Sequence, residues 1–363
     1  MNIGVPKERR PFEFRVGLTP GVVQLLCQQG HVVYVEHDAG LGAGFSDQDY
    51  EAAGGSIAYS PREVFGRSDL LVKVARPLLE EIQWLRPGTA IAGLLHMASA
   101  RQDKIDTLIG NRITSIAYEQ IRLEDGSQPV MRPLSEIGGR LVAQIGARLL
   151  QNNSGGKGIL LGGIAGVPPA EVVILGAGIA GSRAAQSFLG LGAHVTVIDV
   201  NLVALQRLFD QACSLVTMLS NPINIARAIS YADIVVGAVR IPGQPAPVVV
   251  TREMVRSMKP RSVIMDLSID EGGCVETSRP TTHEHSYYLE EGIVHYCVPN
   301  VPSVVARTST YAFLNAAYPY IEAMANQGVE AAIEADPALK QAVNTRDGNI
   351  VNLSRMSAPA PAE

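Results

Sequence analysis

The sequence predicts an α/β protein built on doubly wound, mainly parallel sheets. Short apolar runs rich in branched side chains recur along the chain, which is typical of strands that are buried on both faces. Stretches with helical spacing separate these runs, and alternation of this kind favours parallel strands. The chain has 363 residues, which is enough for two domains.

The clearest stretch covers residues 171–199 and reads EVVILGAGIAGSRAAQSFLGLGAHVTVID. Val172–Leu175 is predicted to be a buried strand, and Gly176, Gly178 and Gly181 follow it with G-x-G-x-x-G spacing. In such a turn the first glycine permits the tight bend, and the second lets a pyrophosphate approach the backbone. The third lets the next helix pack closely on the strand. The motif predicts a dinucleotide-binding turn, and we expect two Rossmann-like domains.

The residues after the glycines complete this pattern. Ser182–Leu191 predicts a helix whose N-terminal N–H groups would bind phosphates, and His194–Ile198 predicts a second strand. Asp199 ends that strand, roughly 20 residues beyond the glycines. Its carboxylate would accept hydrogen bonds from ribose hydroxyls and repel a 2′-phosphate, so the sequence favours NAD over NADP. Asn201, rather than an arginine, lies just beyond it, in agreement with NAD.

Composition excludes several classes of function. The chain is 47% hydrophobic and 18% charged, with a net charge of −5 and no basic block, so nucleic acid is not an expected partner. The opening MNIGVPKERR lacks the order of a signal peptide, and no apolar run reaches membrane-spanning length. The four cysteines are far apart and predict neither a metal site nor a disulfide framework. We expect a cytoplasmic protein without a membrane partner.

The first part of the chain predicts alternating strands and helices. The predicted strands are Met1–Val5, Val32–Glu36, Ser56–Ala58, Leu70–Val74, Thr89–Leu95 and Arg112–Ala117. The predicted helices are Pro20–Gln29, Asp47–Ala53, Pro61–Gly66, Pro77–Leu85 and Ala98–Ile109. Polar residues between the first strand and the first helix predict a loop.

The remaining elements are predicted on either side of the glycine motif. Ser135 is predicted to cap a long helix that ends near Gln151. The other predicted strands are Ile234–Gly237, Ser262–Leu267 and Ile293–Cys297. The other predicted helices are Leu202–Leu219, Asn224–Ile229, Arg252–Met258, Thr308–Ala325 and Val329–Glu334. The tail from about Ser357 is expected to be disordered.

The terminal helices suggest a discontinuous domain. The first α/β region needs elements to close it, and the helices near the C-terminus are the only spare ones. We therefore expect a substrate domain formed by residues 1–134 and 305–363. The NAD-binding domain, residues 135–304, would be inserted between its two parts.

Several longer motifs carry a resemblance to a known family. They include GVPKERRPFEFRVGLTP, LLHMASA, SIAYEQI, LSEIGGRL, GGKGILLGGIAGV, MDLSIDEGGCVETSRPTTH and NVPSVVARTSTYA. With the glycine motif, these resemble the alanine dehydrogenase family, which also contains the NAD-binding domain of proton-translocating transhydrogenase. The resemblance implies a two-domain subunit, often hexameric, that uses NAD for the reversible oxidative deamination of L-alanine to pyruvate and ammonia.

Reductive amination needs a group that holds a carboxylate, a group that polarises a carbonyl and a group that transfers protons. The resemblance places Arg15 on the carboxylate-binding arginine, His96 on the catalytic histidine and Asp270 on a catalytic carboxylate. Each residue also has a structural interpretation. Arg15 could pair with Glu13, His96 could be a core histidine, and Asp270 could form a turn before two glycines.

Other site residues follow from the resemblance alone. Asn300 matches an asparagine beside nicotinamide and substrate, and Ser135 matches a serine near the nicotinamide. Three further residues match positions that line the cofactor site, namely Ser220, Val239 and Ile269.

The chain departs from the family pattern K-V-K-E-P, whose second lysine helps to bind substrate. Here the segment reads Lys73-Val74-Ala75-Arg76-Pro77, so Ala75 occupies the lysine position. Arg76 is a candidate substrate ligand, although an extended segment would direct it away from the side that Lys73 and Ala75 share. Arg132 and Arg240 are further unusual cations.

Three alternatives to an alanine dehydrogenase stay open. The protein could act on a larger or anionic 2-oxo acid. It could be a transhydrogenase-like NAD(H)-binding subunit, although His96 and Asp270 argue against this. It could also be a catalytically impaired NAD-binding homologue.

Overall fold

The computed structural model describes residues 1–212, 214–241 and 244–353. The chain divides into two compact units. The first unit contains Met1–Leu134 and the chain from Ser303 onward, and the second contains Ser135–Pro302. The predicted disordered tail and Cys213 lie outside the described residues. No helix among the described residues is both long and apolar enough to cross a membrane.

Strands and helices alternate through most of the chain. The strands are β1 Asn2–Val5, β2 Val32–Glu36, β3 Ser56–Ala58, β4 Leu70–Ala75, β5 Ala90–Leu94, β6 Thr114–Ala117, β7 Glu171–Leu175, β8 His194–Asp199, β9 Leu215–Leu219, β10 Ile234–Gly237, β11 Val263–Asp266, β12 Tyr287–Glu290, β13 Ile293–Tyr296, β14 Val343–Arg346 and β15 Asn349–Ile350. The helices are α1 Pro20–Gln28, α2 Asp47–Ala52, α3 Pro61–Arg67, α4 Leu79–Gln83, α5 Gln102–Gly110, α6 Met131–Leu149, α7 Ile179–Gly190, α8 Leu202–Gln211, α9 Pro222–Tyr231, α10 Arg252–Arg256, α11 Ala306–Gln327, α12 Val329–Ala335 and α13 Pro337–Gln341.

The first unit contains an eight-stranded sheet in the order β15-β14-β6-β5-β4-β1-β2-β3. The six strands from β6 to β3 are parallel, whereas β14 pairs antiparallel with β6 and with β15. Successive residues of β4 enter different cores, since Leu70 and Val72 join one buried cluster and Leu71 joins another. Both faces of the sheet are therefore covered, as a doubly wound fold requires.

The second unit contains a seven-stranded sheet in the order β12-β13-β11-β10-β7-β8-β9. All neighbouring strands are parallel except β12, which pairs antiparallel with β13. The parallel strands follow the same order in both units, and each order reverses once, between β1 and β4 and between β7 and β10. Ligands of open α/β sheets bind beyond the carboxyl ends of the strands at such reversals.

The predicted α/β class with two mainly parallel Rossmann-like sheets is confirmed. Side-chain caps explain several helix starts: Thr19 accepts a hydrogen bond from the Val22 N–H before α1, and Asn221 accepts one from Asn224 before α9. Proline occupies the first position of both helices, where its missing N–H costs nothing.

Some predicted boundaries are wrong. The helix predicted over Leu202–Leu219 ends at Gln211, and Leu215–Leu219 is the edge strand β9. Ser135 does not cap a helix, because α6 begins at Met131. The helix predicted over Ala98–Ile109 begins at Gln102, after a short 3₁₀ turn at Met97–Ser99. Strands β12, β14 and β15 were not predicted, since their short segments lack a strong alternating pattern.

Candidate active site

Three predicted site residues of the first unit follow neighbouring strands. Arg15 lies in the loop after β1, Arg76 directly follows β4, and His96 lies two residues after β5. These strands are adjacent and parallel, so their carboxyl ends lie at one edge of the sheet. This edge contains the strand reversal, which makes it the expected ligand-binding edge of the unit.

Arg15 forms a buried bidentate ion pair with Glu13. The Nε and Nη2 groups of Arg15 donate to the two carboxylate oxygens of Glu13 over 2.7 and 2.5 Å. Arg15 is only 3% exposed, so the salt bridge considered from the sequence is present but is not at the surface. The pair uses two of the five guanidinium donors and holds the planar group in one orientation.

A buried charge cluster holds the end of β4. Glu8 accepts hydrogen bonds from the backbone N–H groups of Val74 and Ala75, over 2.7 and 3.3 Å. The Lys73 ammonium lies 3.2 Å from Glu8 and 3.0 Å from Glu81. Burial raises the pKa of Glu8, and Lys73 only partly opposes this. Burial would lower the pKa of Lys73, but the Glu8 and Glu81 carboxylates outweigh it and raise that pKa.

Lys73 therefore does not replace the missing lysine at Ala75. Its side chain is fully buried and engaged by two carboxylates. The pairing of β4 with β5 is irregular between Val72 and Ala75, so the simple alternation assumed from the sequence does not hold in this segment.

His96 occupies a strained turn with an accessible ring. Its φ is +44°, in the left-handed region that non-glycine residues adopt infrequently. Its side chain is 54% exposed, so it is not the core histidine of the structural interpretation. Glu119 accepts hydrogen bonds from the backbone N–H groups of His96 and Leu95 over 2.6 and 3.1 Å. The Nδ1 atom of the ring lies 4.0 Å from Glu119, beyond hydrogen-bonding distance.

Arg76 contacts the same turn from the other side. Its Nη1 group donates to the His96 carbonyl oxygen over 3.1 Å and to Ser99 Oγ over 3.2 Å. Arg10 donates from Nε to the Arg76 carbonyl oxygen over 2.9 Å, which fixes the backbone at this position. The guanidinium thus lies near His96, although the sequence argument directed it away from the Ala75 side.

In the second unit, the glycine motif has the packing that a dinucleotide turn needs. Gly176 has φ +106°, and a Cβ there would lie 2.3 Å from the Ala238 carbonyl oxygen. A Cβ on Gly181 would lie 1.9 Å from the Gly176 carbonyl oxygen. At Gly178 a Cβ would meet no atom within 4 Å, so its backbone is open to a ligand. Helix α7 begins at Ile179, three residues before the predicted start, which brings its N-terminus to this turn.

Asp199 lies at the carboxyl end of β8, beside the glycine turn. Its Oδ2 accepts a hydrogen bond from the Ala177 N–H over 2.5 Å, and its Oδ1 accepts one from the Asn201 N–H over 2.7 Å. Each carboxylate oxygen has a second lone pair, so Asp199 can still accept from ribose hydroxyls. The open Gly178 backbone, the helix N-terminus and this carboxylate together fit an NAD molecule.

The other predicted cofactor contacts lie at or near the same edge of this sheet, except for one. Ser220 follows β9, and its N–H donates to the Asp199 carbonyl oxygen over 2.9 Å. Val239 follows β10 and exchanges hydrogen bonds with Ser268 through its N–H and carbonyl groups, over 3.0 and 2.8 Å. Ile269 is buried in the turn after β11. Ser135 lies within α6 and is not at a strand end.

Asp270 and Asn300 are close together at this edge. Asp270 lies in the 3₁₀ turn Leu267–Glu271 and is exposed. Asn300 follows β13, has a left-handed φ of +52° and donates from its N–H to Asp270 Oδ2 over 3.4 Å. An exposed carboxylate at a strand end can exchange protons with a ligand, which a buried turn-forming aspartate could not do.

Sequence reasoning missed the carboxylates that hold these loops. Asp266 is 1% exposed and ends β11. It accepts hydrogen bonds from the N–H groups of Ser268, Cys274 and Val275, over 3.0, 2.9 and 3.3 Å, and so joins both ends of the Asp270 loop. Glu8 and Glu119 instead hold backbone N–H groups at the ends of neighbouring strands, at the end of β4 and just after β5. The sequence does carry a signal for these carboxylates, since each is an acidic residue at the end of a buried strand or shortly after it.

Comparison with known proteins identifies the family. The model described as "Alanine dehydrogenase/PNT, N-terminal domain" matches residues 4–138, and the model described as "Alanine dehydrogenase/PNT, C-terminal domain" matches residues 142–353. The chain belongs to the alanine dehydrogenase/PNT family.

Individual relatives match over nearly their full length. An alanine dehydrogenase of Methanococcus maripaludis is 46% identical over 352 residues, covering 96% of this chain and 94% of the relative. One from Mycobacterium tuberculosis is 41% identical over 353 residues, covering 97% and 95%. A solved L-alanine dehydrogenase superposes with a TM-score of 0.94 at 42% identity, covering 97% of each chain. A transhydrogenase structure from Sinorhizobium meliloti gives 0.81 at 26% identity, covering 97% of this chain and 99% of the other.

Two cations that are unusual for the alanine dehydrogenase/PNT family have different environments. Arg240 follows β10 and pairs with Glu271 over 2.7 Å, next to Asp270. Arg132 lies in the first turn of α6 and is exposed. Arg240 therefore lies at the same edge of the second unit's sheet as Asp270.

Proposed function

We propose that this protein is an oxidoreductase acting on a CH–NH₂ group. In this proposal it catalyses the NAD-dependent reversible oxidative deamination of L-alanine to pyruvate and ammonia. The observation that carries the proposal is the similarity to alanine dehydrogenases at 41–46% identity over nearly the whole chain. The arrangement of candidate residues at the ligand-binding edge of each sheet supports it.

Residues of the first unit would bind and polarise the oxo acid. Arg15, held by Glu13, would donate a charge-assisted hydrogen bond to the substrate carboxylate. The exposed ring of His96 would donate a hydrogen bond to the carbonyl oxygen of the substrate. Arg76 stays a predicted substrate ligand.

Residues of the second unit would bind the cofactor and transfer protons. When bound, NAD accepts or supplies a hydride. The backbone at Gly176, Gly178 and Gly181 would accommodate its pyrophosphate, and Asp199 would accept from its ribose hydroxyls. Asp270 would act as general acid and base when water leaves or adds at the substrate carbon, with Asn300 beside it.

The proposal also covers further cofactor contacts, the roles of the two domains and the assembly of the protein. We propose that Ser135, Ser220, Val239 and Ile269 line the cofactor site, as the family resemblance implies. We also propose that residues 1–134 and 305–363 act as the substrate domain and residues 135–304 as the NAD-binding domain. Assembly as a homo-hexamer in the cytoplasm completes the proposal.

One assay tests the proposed reaction. NADH oxidation is followed with ammonia and a panel of 2-oxo acids that includes pyruvate, larger acids and dicarboxylic acids. We expect turnover with pyruvate. Turnover confined to a larger or anionic acid would contradict alanine as substrate. Tight NADH binding without turnover on any acid would contradict a dehydrogenase and favour the impaired or transhydrogenase-like alternatives.

An Ala75→Lys variant shows whether the missing cation limits activity. We expect a lower KM for pyruvate, by about 10-fold, because one charge-assisted hydrogen bond is gained. Ala75→Met is the matched control, since it adds a chain of similar length without the charge. Equal effects of the two substitutions would mean that bulk, and not charge, alters the site.

A further inference from the structure

The proposed role of His96 depends on a turn that is held through its backbone. A catalytic base is commonly oriented by a third group that hydrogen-bonds to it. The Nδ1 atom of the His96 ring lies 4.0 Å from the Glu119 carboxylate, which is beyond hydrogen-bonding distance. The ring is therefore not oriented by a hydrogen bond to that carboxylate, and its direction depends on the backbone conformation of His96.

That conformation is strained, and both peptide groups of His96 are engaged. Left-handed φ values for non-glycine residues persist only where the surroundings determine them. Glu119 accepts from the His96 N–H over 2.6 Å. On the other side, the His96 carbonyl oxygen accepts from Arg76 Nη1 and from Ser99 Oγ, each over 3.1 Å.

Arg76 contacts the turn at two points. Its Nη1 group donates to the His96 carbonyl oxygen and lies 3.2 Å from Ser99 Oγ, so one guanidinium stabilises both ends of the 3₁₀ turn Met97–Ser99. Its own carbonyl oxygen is held by Arg10 over 2.9 Å. The guanidinium thus links the end of β4 to the turn after β5.

We propose that Arg76 is a positioning residue, which holds the His96 backbone in its left-handed conformation and so directs the imidazole ring. The inference rests on the proposed function of His96. It explains how this chain uses the cation next to Ala75 without requiring it to replace the lost lysine. The test separates this role from direct binding of the substrate carboxylate.

The kinetic test compares Arg76→Gln with the unmodified protein on pyruvate, ammonia and NADH. We expect kcat to fall about 10- to 100-fold, because a misdirected acid–base group reacts poorly, with KM for pyruvate nearly unchanged. Arg76→Lys should retain more of kcat, since an ammonium can still donate to the His96 carbonyl oxygen. Ser99→Ala should also lower kcat, but by less than Arg76→Gln does.

The control is Arg86→Gln. Arg86 likewise donates to a backbone carbonyl oxygen, that of Ser68, over 2.9 Å, but it does so before β4 and not after it. We expect unchanged kinetics for this variant. A loss of kcat/KM in Arg76→Gln that lies wholly in KM would overturn the proposal and make Arg76 a substrate ligand. Unchanged kcat and KM would overturn it as well.

A second measurement does not need turnover. A crystal structure of Arg76→Gln should show His96 with a negative φ or a displaced ring, and an unchanged His96 would contradict the positioning role. Failure of the proposed function has a different signature. Full activity of His96→Asn would remove the catalytic role of His96, whatever the Arg76 variants show.

Discussion

The carboxylate of Glu119 accepts a 2.6 Å hydrogen bond from the backbone N–H of His96. It also accepts one from Leu95, so a single side chain from the segment after β6 holds the segment after β5. Similar links occur at Glu8 and Asp266. The candidate active-site residues are thus carried by loops whose backbones are fixed by buried or half-buried carboxylates.

The first prediction concerns Glu119→Gln. The amide retains one acceptor oxygen and directs its NH₂ group at a backbone N–H, which leaves that N–H without an acceptor. We expect a loss of about 1–3 kcal/mol in the free energy of unfolding and a lower kcat. Urea unfolding and steady-state kinetics measure both. Glu124→Gln, at an exposed position in the following loop, should change neither. Wild-type kcat in Glu119→Gln would show that this link does not matter for activity.

The second prediction concerns the buried ammonium of Lys73. Lys73→Met removes the cation that lies between the buried Glu8 and Glu81 and leaves Glu81 paired only with Arg9, so the free energy of unfolding should fall by roughly 3–5 kcal/mol. Denaturant unfolding measures the change. Lys340→Met is the matched control, because Lys340 is 56% exposed and its pair with Glu334 should contribute at most about 1 kcal/mol. Equal losses in the two variants would contradict the buried cluster.

The third prediction concerns cofactor choice. Asp199→Asn keeps the shape of the side chain and removes the charge that would repel a 2′-phosphate. We expect the ratio of Kd for NADPH to Kd for NADH, measured by fluorescence titration, to fall about 10-fold or more. Asp210→Asn, on the exposed side of α8, should leave the ratio unchanged. A ratio near that of the unmodified protein would mean that Asp199 does not select the cofactor.

The fourth prediction concerns acid stability. Hydrogen bonds from Arg256 and Arg252 lower the pKa of Glu291 to about 2. A carboxylate with a lowered folded-state pKa stabilises the fold above its unfolded pKa, and this contribution is lost as the pH falls through the folded pKa. We therefore expect the Tm to fall less steeply between pH 4.5 and about 2 in Glu291→Gln than in the unmodified protein. Glu51→Gln, an exposed substitution on α2, should follow the unmodified curve. Parallel curves for Glu291→Gln would disprove this contribution.

The sequence predictions succeeded where the interactions are local in the chain and failed where they join distant segments. The glycine motif, Asp199 and the buried parallel strands were predictable because their signals lie within short stretches of chain. The helix predicted through Leu215–Leu219 failed because those residues form the edge strand β9, which pairs with β8 over half-exposed positions. Strand β14 was missed because it is short and its partner β6 lies far away in sequence, so no local pattern indicates the pairing.

By itself, the sequence determined the α/β class, the cofactor-binding turn and the resemblance to alanine dehydrogenase, because local periodicity, glycine spacing and motif identity can be read without a fold. Only the tertiary structure decided that Lys73 is buried between Glu8 and Glu81 and that Arg76 reaches the His96 turn. These relationships join different loops at the carboxyl ends of neighbouring strands. Side-chain directions there depend on strand pairing and burial, which a linear pattern does not contain.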